Sequence, residues 1–143
     1  MDRQTDLEPG IRPLVEALNA TGIVQTFSSC EGHYSAQEQR LVDRNLAYVQ
    51  FVPAPGYETG KVVVNLLKKL LEGFKAAHGL LPVTVTGYLR FTPVDTNETD
   101  ETYVLELRPF NRFDPPDQKR VDTDRAVAQL VTVLTRLVAA GAI

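Results

Sequence analysis

The chain has 143 residues, of which 43% are hydrophobic and 23% charged, with a formal net charge of −3 and a single cysteine. This length suits one domain, residues 1–143, that can bury enough surface to fold without a disulfide or a metal. The acidic balance argues against broad, sequence-independent nucleic-acid binding, which needs a basic surface to release counterions. The lone Cys30 rules out an internal disulfide, and the polar start Met1-Asp2-Arg3-Gln4 lacks the apolar core of a secretory signal. A cytoplasmic protein without a membrane segment is expected.

In chain order, Ile11, Leu14, Val15 and Leu18 recur at helical spacing after Pro9-Gly10, and Gly22 suits the end of that helix. A strand follows from Ile23 to about Ser29. Residues 34–45 are polar and aperiodic and read as a loop. Leu46 to Val52 is a second, mostly apolar strand, stopped by Pro53 and Pro55. The longest helix spans about Glu58 to His78, with Thr59 as N-cap. Val63, Leu66, Leu67, Leu70, Leu71, Phe74 and Ala77 form its apolar stripe, and Lys61, Lys68, Lys69 and Lys75 lie on its solvated side.

The cleanest alternation comes next. Val83, Val85, Leu89 and Phe91 face one way, and Thr84, Thr86, Tyr88, Arg90 and Thr92 the other. Residues 93–101 read as an acidic loop before a return strand carrying Tyr103, Leu105 and Leu107, with cross-strand Arg-Glu pairing expected on the polar face of Tyr88, Arg90, Glu106 and Arg108. Residues 109–118 read as an irregular crossing, and a last helix from about Asp122, capped by Asp122 or Asp124, ends near Gly141. The order α-β-β-α-β-β-α predicts an α+β, two-layer domain with one antiparallel or mixed sheet and its helices on one face. The polar face of the Thr84–Thr92 strand is then open to solvent or forms half of a homodimer.

Chemistry concentrates between Ser28 and His33. Cys30 and His33, three apart across Gly32, are the candidate nucleophile and base, but no third orienting group is legible. The same pair offers two zinc ligands, which Glu31, Glu38 or Asp43 would have to complete; with no fixed third ligand, no metal is assigned. His78, in a last helical turn, suits the helix dipole. The least demanding use is ligand binding without covalent chemistry. Ser28 and Ser29 supply hydroxyls, Gly32 lets backbone N–H groups converge, and Cys30 and His33 complete a turn for a small anionic or nucleotide-like ligand.

The segments Ile11–Asn19, Val24-Gln-Thr-Phe-Ser-Ser-Cys-Glu-Gly-His33 and Ala47–Val52 resemble the start of the wybutosine-synthesising tRNA methyltransferase family, the one acting third in that pathway. Ser28, Ser29, Cys30 and Gly32 match its Ser-Ser-Cys-x-Gly-Arg motif, and His33 stands where the family has arginine. The resemblance implies an α+β fold, S-adenosylmethionine as cofactor, and a modified guanine of tRNA as substrate.

Overall fold

The computed structural model describes residues 7–35 and 45–143. Seven elements follow one another: α1 (Arg12–Ala20), β1 (Val24–Cys30), β2 (Ala47–Pro53), α2 (Lys61–His78), β3 (Val83–Asp95), β4 (Glu98–Pro109) and α3 (Pro116–Ala139). The strands form one sheet in the order β1-β2-β4-β3, with every pairing antiparallel. The fold is therefore α+β with the expected element order, and the sheet is antiparallel rather than mixed.

The helices pack on one face because the sequence supplies apolar stripes for it. Leu14, Val15 and Leu18 of α1, Val63, Leu66, Leu67, Leu70 and Phe74 of α2, and Val127, Leu130 and Leu134 of α3 meet Val24, Val49, Phe51, Leu105 and Leu107 of the sheet in one core. Full burial of each large aliphatic contributes about 1.5–3 kcal/mol. Pro13 lies in the first turn of α1, where its missing N–H costs nothing, and Gly22 takes a positive φ just past the helix end.

Three boundaries differ from the sequence reading. Helix α2 starts at Lys61 behind Gly60, not at Glu58 behind a Thr59 cap. Gly60 has φ 78°, and the Tyr103 hydroxyl fills the space a Cβ would need. Strands β3 and β4 continue to a two-residue turn at Thr96-Asn97, so residues 93–101 are hairpin and not loop. The outer half of this arm extends beyond the helices: Phe91 is 63% exposed although it shares the alternation of buried Val83. Helix α3 starts at Pro116, within the stretch read as irregular. Asp122 is buried inside it rather than capping it, accepting a hydrogen bond from Gln118 at 2.9 Å. Buried Lys119 donates from Nζ to Asn45 Oδ1 and to the Arg112 carbonyl, both at 2.7 Å. Of the predicted loop, residues 36–44, with the candidate ligands Glu38 and Asp43, lie outside the described residues.

Candidate functional site

Strand β1 delivers Ser28, Ser29 and Cys30 to the end of the sheet. The register slips between Thr26 and Ser28, leaving Phe27 without a cross-strand partner, and then pairs Ser28 with Gln50, Ser29 with Val49 and Cys30 with Tyr48. Asn19 of α1 braces this bulge: its Oδ1 accepts the Thr26 N–H at 3.0 Å and its Nδ2 donates to Thr26 Oγ1 at 2.8 Å. The bulge moves every later side chain to the opposite face. Ser29 therefore shares the helix-covered face with Val49, while Ser28 shares the other face with Gln50. The two hydroxyls do not point to one place.

Past Cys30 the chain turns at Gly32, which is buried with φ 93°. The Tyr34 ring folds back over it, and the Tyr34 and Thr123 hydroxyls share a buried hydrogen bond of 2.8 Å. Arg120 of α3 fastens the turn. Its Nη2 donates to the Glu31 carbonyl at 2.6 Å and its Nη1 to the Gly32 carbonyl at 3.0 Å. The guanidinium also pairs with Asp124 at 3.0 Å and lies 5.2 Å from the Tyr34 ring centre. The segment before α1 closes the other side. Glu8 Oε1 accepts the Glu31 N–H at 3.0 Å, and Glu31 Oε2 accepts the Gly10 N–H at 2.8 Å. Two N–H groups at this turn are thus already matched with the chain's own carboxylates.

Cys30 and His33 do come together, and Glu8 joins them: the ligand atoms of all three lie within 4.8 Å of one another. His33 Nε2 faces Glu8 Oε2 at 3.0 Å. Burial pushes the Cys30 thiol above its ordinary range, against a lowering contact from the Gly32 amide, and the nearby Glu8 and Glu31 carboxylates add to the rise. A thiol held protonated is a poor nucleophile, while Glu8 on His33 Nε2 supplies the third, orienting group that the sequence did not show. Burial also raises the Tyr34 phenol, outweighing the lowering contacts with Thr123 and Arg120.

A groove of about 480 Å³ lies beside the turn, lined by Pro9, Pro13, Val127, Ala128 and Val131 together with Glu31, Arg120 and Asp124. A smaller hollow of about 240 Å³ lies against Gly32, Tyr34 and Asp117, and Arg120 and Glu31 line both.

The other candidates lie elsewhere. His78 packs on Phe74 with ring centres 5.4 Å apart and lines a separate hollow with Asp122 and Arg125. On the sheet, Glu106 accepts a 2.6 Å hydrogen bond from Tyr88. Glu8, Gly10, Arg120 and Thr123 were missed in the sequence. They reach the turn across 21 to 89 residues, and only the i, i+4 pair of Arg120 with Asp124 left a local trace. No family model, curated protein or solved structure matches the chain.

Proposed function

We propose that the chain is a binding module for a small anionic or nucleotide-like ligand, taken up beside the Ser28–His33 turn with its body in the groove and its anionic head on Arg120. The observation that carries this reading is the position of Arg120, the one cationic side chain among the described residues that line either hollow. Pockets that hold small molecules combine apolar walls with a few polar groups that fix orientation. Pro9, Pro13, Val127 and Val131 supply the walls here. The two backbone carbonyls hold the guanidinium in place, whereas its i, i+4 partner Asp124 has a half-exposed side chain. Such a surface pair is worth about 0.3–0.5 kcal/mol, so a phosphate or carboxylate can replace Asp124 at little cost.

Titration of the ¹⁵N-labelled chain with adenosine 5′-monophosphate, followed by NMR, tests this. Shifts should cluster at Gly10, Glu31, Gly32 and Arg120–Val131. Asp124→Asn, which takes the closest carboxylate off the guanidinium, should tighten binding, and Arg120→Gln should weaken it. No shifts, shifts confined to other surfaces, or the same direction of change in both variants would sink the reading. S-adenosylmethionine as a second probe tests the methyltransferase-like form of the same site.

A further inference from the structure

We propose that Glu8, Cys30 and His33 form a binding site for one divalent, thiophilic metal ion of the zinc class. Among the described residues this is the one group of three or more histidine, cysteine or carboxylate side chains able to share an ion. Tetrahedral zinc, with bonds of roughly 2.0–2.3 Å, holds its ligand atoms about 3.3–3.8 Å apart. The Glu8 and His33 atoms already stand 3.0 Å apart, and all three lie within 4.8 Å, so side-chain movements of an ångström or so close the set. The backbone sets this convergence. Gly32, at φ 93°, turns the chain so that residues three apart meet, and the Glu31 N–H holds Glu8 Oε1, leaving Oε2 toward His33. A second contact of this kind is how proteins orient a metal-ligating carboxylate.

The donor set selects the metal. Magnesium and calcium take oxygen ligands, whereas sulfur with imidazole suits zinc and its neighbours. On binding, the Cys30 S–H bond breaks, its proton goes to solvent, and the sulfur lone pair forms the bond to the ion. Thiolate and Glu8 carboxylate then balance the two positive charges, and nothing is oxidised or reduced. Three protein ligands leave a fourth position for water or an added ligand. None of its three ligands lines the Arg120 groove, so the two proposals are tested by different side chains.

The test is titration of the untagged, reduced full chain with Co²⁺, then Zn²⁺ against a chromophoric chelator. One equivalent of Co²⁺ should give tetrahedral d–d bands and a thiolate-to-cobalt charge-transfer band, both erased by one equivalent of Zn²⁺. Zn²⁺ binding should release a proton. Cys30→Ser should abolish the charge-transfer band, and Glu8→Gln and His33→Gln should each weaken Zn²⁺ binding at least about tenfold, with far-ultraviolet circular dichroism confirming that each variant is folded. Absence of stoichiometric uptake, a cobalt spectrum without the thiolate band, or unchanged affinity in folded Glu8→Gln and His33→Gln would overturn the proposal.

Discussion

The turn at Gly32 can be challenged with a single methyl group. Gly32 has φ 93°, and a Cβ built there would overlap the hydroxyl end of the Tyr34 ring. Gly32→Ala therefore meets two costs. A left-handed backbone costs a residue with a Cβ about 1–2 kcal/mol. Displacing Tyr34 breaks its bond to Thr123, which is fully buried, and an unsatisfied buried hydroxyl costs about 1–3 kcal/mol. The expected loss is the sum, about 2–5 kcal/mol. With an unfolding entropy of about 2.1 cal/mol/K per residue, 143 residues give about 0.3 kcal/mol/K, so a 3 kcal/mol loss lowers Tm by about 10 °C. Gly22 supplies the control: its φ is 74°, but a Cβ there has nothing within 4 Å. Gly22→Ala should show the backbone cost alone. Urea unfolding followed by circular dichroism measures both. Equal losses for the two variants would refute the claim that Tyr34 over Gly32 holds the turn.

Two further outcomes follow from local geometry. Tyr88 should ionise above the ordinary tyrosine value because its hydroxyl donates to the Glu106 carboxylate. Its folded pKa exceeds its unfolded one, so this contact's stabilisation is complete below the unfolded value and lost as pH rises through the folded one. NMR titration of the Tyr88 ring carbons should show the rise and its reduction in Glu106→Gln; a Tyr88 titrating no higher in the wild type than in that variant would exclude the effect. Gly73→Ala should not stabilise α2 despite a helix-propensity gain of about 1 kcal/mol, because its Cβ would stand 2.8 Å from Val133 Cγ1 on α3. In a Val133→Ala background the same change should stabilise, and a full gain of about 1 kcal/mol in the wild-type chain would count against the close helix crossing.

What the sequence made legible follows from where apolar side chains are spent. Helices α1 and α2 bury regular stripes that their period revealed, and strand β2 read as a mostly apolar run stopped by prolines. The first turns of α3 instead bury Lys119, Asp122 and Thr123, each satisfied by a partner, and a polar interior leaves no stripe to read. Pro116 at the helix start was the available signal. The outer hairpin, Pro93 to Glu101, is exposed on nearly every residue, so its strands carry no alternation of burial. At the site, the Cys30-x-x-His33 spacing was legible but its third member was not. Glu8 differs in no local way from any other surface glutamate until the fold lays it beside the end of β1.

The charges around the turn bear on the size of the proposed ligand. Among the described residues, the carboxylates Glu8, Glu31, Asp117 and Asp124 stand around Arg120 and His33 and outnumber the cationic side chains there. A long polyanion laid across this surface would meet those carboxylates along its length, and each like-charge approach works against the counterion release that drives nucleic-acid binding. In the proposed reading a compact anion would need only Arg120. There the guanidinium would exchange Asp124 for such a head while its two bonds to the Glu31 and Gly32 carbonyls keep the turn in place. At Glu8 and His33 the same acidic surroundings work the other way, because a divalent cation relieves the repulsion that an anion would add. The two proposals therefore put chemically opposite ligands on one short turn, a cation on the Glu8 side and a small anion on the Arg120 side, with the Glu31 backbone bonded to both Glu8 and Arg120.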